Sequence, residues 1–343
     1  MKFKTQNPPH IRSRESNQTM MAEAMIAVLP LYAMAAYYYG IRALFLGAVS
    51  VLTCVLTDLV CLLVGRRVPN IRDYSAAMTG MMIPLLMPAS VQWEIVAAAG
   101  IFAIAVAKHP FGGVGQNVFN PAAAGVAFSM ICWPKSLFSY PMPFDTLPIA
   151  IDETVRLVSS PARTLALGGV PAIDLRDMLV GNAPGPMGAT SILVLMTCLL
   201  FLTVRRIASM PMTLSFLAGA AGVAALFPRA SMDATESVCY ELMSGLMLIG
   251  AVFLLNDPVS SPKRRGPRLL YGLLAGIVSM VFRHIGQFEE SLLFAVLVMN
   301  SAVWIIDLWG EQIAHARRRK QSEAKQDTEI QASAAENLGG IQE

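Results

Sequence analysis

Charge is scarce in this chain. Asp, Glu, Lys and Arg fill only 14% of the 343 positions, against about 25% in a soluble globular domain. That shortage excludes a solvated surface over most of the length. Histidine is scarcer still, at four residues, and no two stand on facing apolar runs at haem-ligand depth. The five cysteines, Cys54, Cys61, Cys132, Cys198 and Cys239, include no Cys-Xaa-Xaa-Cys and have no histidine at ligand spacing. An iron–sulfur or zinc site built from this chain alone is therefore disfavoured, and the cysteines read as small packing residues. A Walker loop, a Gly-Xaa-Ser-Xaa-Gly elbow and a His-Glu-Xaa-Xaa-His helix are all missing, which removes the commonest soluble hydrolase and nucleotide-binding chemistries.

What is present is apolar residue, at 55%, gathered into runs near the roughly 20 residues that span a bilayer. The runs predict an all-α polytopic membrane protein of about ten transmembrane helices, at 21–39, 43–64, 74–90, 93–108, 117–134, 191–204, 211–228, 239–256, 268–283 and 290–309. The first run follows Lys2, Lys4, Arg12 and Arg14, and Ala33-Met34-Ala35 imitates a leader cleavage site. The run is too long for a signal-peptide core, so it reads as an uncleaved first helix. With both termini cytoplasmic, only Arg42, Lys135, Arg156, Arg163, Arg176, Arg229 and Arg283 of the 26 Lys and Arg residues fall on the outer side. That bias selects this orientation. The net charge of +3 is then a topology signal and not a nucleic-acid footprint.

The chain divides into a cytoplasmic segment (1–20), a first five-helix unit (21–134), an outer loop (135–190), a second five-helix unit (191–309) and a polar tail (310–343) read as disordered. The loop is rich in Pro, Gly and Asp and lacks a period, and long loops are often functional. A weak internal repeat pairs Met78-Thr79-Gly80-Met81-Met82 with Met243-Ser244-Gly245-Leu246-Met247, and Lys108-His109 with Arg283-His284. A five-helix unit is odd-numbered, so two copies would be inverted in the membrane, an arrangement that places sites near the repeat axis.

Three segments carry candidate chemistry. In Gly185-Pro186-Met187-Gly188-Ala189-Thr190-Ser191, Gly188 and Ala189 leave room for a bulky group and Thr190 offers a hydroxyl at a helix N-terminus, where amides and dipole favour a phosphate. Simple capping by Thr190 or Ser191 is the plainer reading. In Lys108-His109-Pro110-Phe111-Gly112-Gly113-Val114-Gly115-Gln116-Asn117-Val118-Phe119-Asn120-Pro121-Ala122, irregular backbone suits a cavity wall or a tight loop. Asn120 and Pro121 suit the cap and first position of a helix. In Asn256-Asp257-Pro258-Val259-Ser260-Ser261-Pro262, Asp257 lies at an inner helix end, positioned for a cation, a polar ligand or the headgroup layer. Asp58 is an acid inside the second run, with an ion contact and a hydrogen-bonded structural role both open. Asp307 reads as interfacial.

Together these segments resemble the NqrB/RnfD family, the B-type membrane subunits of Nqr complexes and the D-type membrane subunits of Rnf complexes. The likeness rests on Lys108 to Pro121, Asn256 to Pro262 with the following Lys-Arg-Arg-Gly, Phe294 to Asn300, and Met187 to Thr190, in the family's order. It covers about Tyr74 to Asp307, and the short N-terminus is more similar to the Rnf branch. It implies a membrane subunit of an ion-translocating oxidoreductase, not catalytic alone, in the bacterial inner membrane with the A, B, C, E and G subunits of an Rnf complex as partners. Na+ or H+ would be the translocated ion. It further implies FMN joined to Thr190 by a phosphoester, with Gly188, Ala189, Asn120 and Asp257 as cofactor contacts and riboflavin as a candidate second flavin. Met187 departs from the family's usual Ser or Thr, while the acceptor threonine is kept. The rival reading is a channel or secondary transporter on the same inverted repeat, for which Asn120-Pro121-Ala122 offers only one of the two boxes an aquaporin-like pore would need.

Overall fold

The computed structural model describes residues 17–66, 73–113, 115–145, 147–149, 157–229, 232–313 and 315. Lys2, Lys4, Arg12, Arg14, Arg67, Arg72, Val114, Arg156 and the tail cations from Arg317 to Lys325 lie outside the described residues.

Each expected apolar run corresponds to helix. α1 (Asn17–Tyr39) and α2 (Ile41–Val64) are long and apolar enough to cross a membrane. α3 (Ser75–Leu85) is short. α4 (Trp93–Phe102) continues through a π-helical stretch, Ala103–Lys108, and one 3-10 turn to Phe111. α5 (Pro121–Cys132) closes the first unit. The second unit holds α9 (Ile192–Val204), α10 (Met210–Leu226), α11 (Ala234–Met243), α12 (Met247–Leu254), α13 (Arg265–His284) and α14 (Ser291–Ile313). Among the described residues four helices meet the length and hydropathy needed for a span, five if α11 and α12 count as one bent span. At 1.5 Å per residue, α3 and α9 reach only about 16 and 20 Å, short of a hydrocarbon core of about 30 Å.

Two runs differ from expectation. The third, expected over 74–90, stops being helical at Leu85, after Pro84, and turns over residues 86–92. The eighth, expected as one helix over 239–256, is broken, and α11 and α12 meet at 69°. Ser244 is extended and Gly245 adopts φ +62°, a conformation that suits glycine. The amide of Leu246 that this break frees is bound by the Glu290 carboxylate at 2.8 Å.

The long connection is not featureless. It contains α6 (Pro134–Leu137), a two-residue antiparallel pairing of β1 (Tyr140–Pro141) with β2 (Leu157–Val158), α7 (Pro161–Ala166) and α8 (Leu175–Val180). It is fastened to the α1–α2 turn. Tyr38 Oη donates to the Val180 carbonyl at 2.7 Å, and the Arg42 guanidinium donates to the carbonyls of Ala89, Val91, Pro148 and Ile149. This end is the loop end. The opposite end gathers the α2–α3, α4–α5, α9–α10 and α12–α13 connections.

Apolar side chains point both inward and outward. Leu52, Leu56, Leu59 and Leu63 of α2, and Trp304 and Trp309 of α14, are exposed. A belt of large exposed apolar residues on fully hydrogen-bonded helices suits lipid and not water. The inner packing uses small residues: α10 and α13 lie closely together, with Gly219, Gly272 and Gly276 at their contact. All five cysteines are free.

Candidate functional site

The four motif segments separate to the two ends. At the loop end, Met187 N and Gly188 N donate to the carbonyls of Met87 and Leu85, at 3.0 and 2.8 Å. α3 ends at Leu85, so these carbonyls have no partner from a further helical turn. Thr190 is buried, and its Oγ1 donates to the Met187 carbonyl at 3.1 Å. Ser191, the N-cap of α9, makes no side-chain cap, so neither hydroxyl caps the helix. The first-turn amides thus retain the anion-favouring character of a helix start.

Gly188 does not leave room for a bulky group. A Cβ there would lie 2.7 Å from Leu85 Cβ, 2.9 Å from the Leu85 carbonyl oxygen and 2.6 Å from Ile249 Cδ1. Its missing side chain permits docking onto α3 and α12. The room lies at Gly185, where an added Cβ would meet nothing within 4 Å. Gly188→Val is therefore expected to destabilise the protein by about 1–3 kcal/mol through overpacking, with Gly185→Ala nearly neutral. Thermal unfolding of the two purified variants checks this, and equal behaviour would refute the docking role.

At the opposite end the Lys108–Ala122 and Asn256–Pro262 segments line a cavity of about 820 Å³, a figure that includes its open mouth, and the Phe294–Asn300 segment reaches it only through Asn120. Lys108, Asn117, Asn120 and Asp257 supply its polar wall, and Met78, Met82 and Phe253 are among its apolar lining. Gly112, Gly113 and Gly115 all have positive φ, which lets the glycine-rich segment fold back beside α4. Asn120 caps α5, its Oδ1 accepting from Ala123 N at 3.1 Å, with Pro121 at the first position. Asn300, from the Phe294–Asn300 segment, is oriented so that its oxygen accepts from Asn120 N at 2.8 Å and its nitrogen donates to Tyr271 Oη at 2.8 Å. Asn256 Nδ2 donates to Thr213 Oγ1 and to the Ala251 and Val252 carbonyls, while its Oδ1 accepts from Ser209 N. Asp257 accepts from Ser260 Oγ at 2.6 Å and from Val259 N at 3.4 Å. Burial raises its carboxyl above the usual carboxylate range, against the lowering effect of those hydrogen bonds.

Asp58 is hydrogen-bonded within the chain. Its Oδ1 lies 2.8 Å from Lys108 Nζ and 2.9 Å from His109 Nε2. The carboxylate is matched by cations or donors of its own chain, and no cluster of three His, Cys, Asp or Glu suited to a metal occurs among the described residues. Asp307, expected at an interface, is half-buried with Oδ1 lacking a hydrogen-bond partner.

The pairing of Lys108-His109 with Arg283-His284 has a geometric counterpart. Arg283 Nη1 lies 2.9 Å from Glu241 Oε2, and His284 Nε2 lies 3.9 Å from Glu241 Oε1. Each basic–His pair thus converges on one buried acid, at opposite ends of the molecule. The acids come from α2 and α11, which are not equivalent in the repeat. The two glycines of the other repeat match also differ in use. Gly80 lets α3 approach the Val51 backbone, whereas Gly245 makes the break.

Sequence reasoning passed over Glu241, Glu289 and Glu290, and named Arg229 and Arg283 without finding their partner Glu241. Glu241 lay inside the expected run 239–256, so the rule applied to Asp58, that acids within apolar runs need a partner, would have marked it.

Outward-facing apolar helices, a broken helix and a polar cavity between helix ends define a helical, multi-pass membrane protein. Residues 4–314 match the NQR2, RnfD, RnfE family, and the chain belongs to that family. It is 31% identical over 320 residues to the D subunit of the Na(+)-translocating ferredoxin:NAD(+) oxidoreductase complex of Acetobacterium woodii, with 92% of this chain and 96% of that one covered. It is 29% identical to the D subunit of the ion-translocating oxidoreductase complex of Aliivibrio salmonicida, covering 93% and 100%. Against the D subunit of the proton-translocating ferredoxin:NAD(+) oxidoreductase complex of Clostridium ljungdahlii the identity is 26%, covering 92% and 97%.

Proposed function

We propose that this chain is the D-type membrane subunit of an ion-translocating oxidoreductase complex, carrying FMN as a phosphoester on Thr190. In this reading it crosses the bacterial inner membrane ten times as two inverted five-helix repeats, with both termini cytoplasmic and the loop end outside. It relays electrons among the A, B, C, E and G partners of an Rnf-type complex while that complex moves Na+ or H+. The flavin supplies the redox chemistry. The observation that carries the reading is Thr190 itself: a threonine held beside an uncapped helix start, in a chain related to D-type subunits over nearly its whole length.

The chain's own residues fit a phosphate there. The start of α9 presents amides without a side-chain competitor, and its dipole favours negative charge. Esterification replaces the hydrogen bond from Thr190 Oγ1 to Met187, and the space beside Gly185 lies on the same segment. At the far end, the cavity suits a second, non-covalent flavin such as riboflavin. Asn117, Asn120 and Asp257 offer hydrogen bonds to a polar ring edge, and the methionines offer an apolar face.

The test is the intact mass of the protein made in cells that possess a flavin-transferring enzyme, with flavin fluorescence after denaturation. The wild type is expected to carry one FMN per chain and to show a fluorescent band. Thr190→Ala is expected to lose all of it while any solvent-extractable flavin remains. A wild-type mass equal to the polypeptide alone refutes the covalent reading.

A further inference from the structure

Between α13 and α14, at the loop end, stand Glu289 and Glu290, only 4% and 1% exposed. Each has one satisfied oxygen. Glu289 Oε1 accepts from Ser160 Oγ at 2.5 Å, and Glu290 Oε2 accepts from Leu246 N at 2.8 Å. The other two oxygens, Glu289 Oε2 and Glu290 Oε1, are buried without a hydrogen-bond partner. So is the hydroxyl of Tyr140, a fully buried residue of β1 that stands against both carboxylates.

Counting hydrogens shows what is missing. Three buried oxygens face this space, and with both acids ionised the Tyr140 hydroxyl carries the one hydrogen among them; the buried Nε–H of Arg283, also without a partner, is the other donor near the pair. An unmet buried acceptor is costly, and two adjacent buried carboxylates oppose each other's ionisation. Three guanidinium groups and three carboxylates share this region, so what is unmet at the pair is hydrogen bonding and direct contact with a cation, not overall countercharge. Arg163 of α7 is half-exposed, with Nη1 3.8 Å from Glu289 Oε2. Arg283 of α13 faces the pair but is bound to Glu241 and Ser244. Arg229, before α11, and His284 of α13 also turn to Glu241.

We propose that Glu289, Glu290 and Tyr140 form a proton-binding site at the loop end, in which the two carboxyl groups hold one shared proton at neutral pH. The added proton supplies the second hydrogen, removes one of two neighbouring charges, and involves no redox step. Burial first, and Glu289 second, push the Glu290 carboxyl up to about 8, and burial also raises Glu289. The position gives the site mechanical reach. Glu290 Oε2 holds the first amide of α12 and lies where a side chain on Gly245 would be, 2.7 Å from its Cβ position. Three residues beyond Leu246, Ile249 packs on Gly188 of the Thr190 segment. Proton gain or loss therefore acts on the break of the bent helix and on the segment docked against it. The site does not require a flavin on Thr190.

An infrared titration of the full chain in its complex, across pH values on either side of about 8, tests this. The expected result is a deuterium-sensitive protonated-carboxyl band that disappears as pH rises, with a midpoint near that value, and that Glu290→Gln or Glu289→Gln removes or displaces. Tyr140→Phe removes the hydroxyl that stands against both carboxylates and favours their ionised form, so the midpoint should move upward; a merely structural hydroxyl would leave it in place. A wild type without the band, or Gln variants that keep it at the same midpoint, overturns the proposal. Should neither Gln variant accumulate, Tyr140→Phe decides: an upward midpoint supports the site and an unchanged one refutes it.

Discussion

Glu241→Ala is expected to prevent accumulation of folded protein. Glu241 is fully buried and receives Arg283 Nη1 at 2.9 Å and Arg229 Nε at 2.9 Å, from side chains 0% and 9% exposed. Removing one partner of a buried ion pair costs about 3–5 kcal/mol, because the remaining charge is left without compensation. Here two guanidinium groups would be left, against a total stability of about 5–15 kcal/mol for a typical domain. The damage also spreads through position. Arg283 donates to Ser244 Oγ at 3.0 Å, so it holds the α11–α12 break from one side while Glu290 holds it from the other. Glu241→Gln keeps an acceptor and should lose less. The yield of monodisperse protein in detergent and its thermal unfolding midpoint check this; an alanine variant with the wild-type midpoint would show that the network is dispensable.

Gly276→Leu is expected to be nearly as severe, for a steric reason. A Cβ at Gly276 would lie 2.3 Å from the Phe216 carbonyl oxygen and 2.8 Å from Ala220 N. Both are backbone atoms of α10, so no side-chain rotation relieves the clash. Gly272, one turn earlier, meets Met212 O at 2.4 Å, and Gly219 meets Leu273 O at 2.5 Å from the other side. Helices in lipid associate through such close backbone approach, since lipid removes the hydrophobic drive between them. A larger residue must separate α10 and α13, at or beyond the upper end of the about 1–3 kcal/mol typical of overpacking. Separation would shift Tyr271 from Asn300 and Arg283 from Glu241, affecting both ends of the molecule. A graded fall in unfolding midpoint from wild type through Gly276→Ala to Gly276→Leu is the expected pattern, and an unaffected leucine variant would remove the argument.

Legibility differed by kind of feature. Helix positions were readable because apolar run length is local, and Asn120 was readable as a cap because Asn-Pro at a helix start carries its own geometry. The break at Ser244 to Leu246 was not readable from hydropathy, because a Ser-Gly pair is too short to interrupt the apolar run 239–256. Gly245 tolerates the turn, but Glu290, 44 positions along the chain, holds its free amide. Gly188 misled in a similar way. Absence of a side chain signals either space or contact, and Leu85 and Ile249 decide for contact.

What the chain's order of residues determined by itself is the set of helices, the asymmetry of its Lys and Arg residues, and the four motif segments, since each is a property of neighbouring positions. Only the tertiary structure decided which distant charges meet. Lys108 reaches Asp58 across 50 positions and Glu289 reaches Ser160 across 129, and it is the tertiary packing that brings two motifs around one cavity while sending Thr190 to the other end. The reason is energetic: a buried charge must find a partner or a proton, and which one it finds depends on how helices pack side by side, about which local hydropathy is silent.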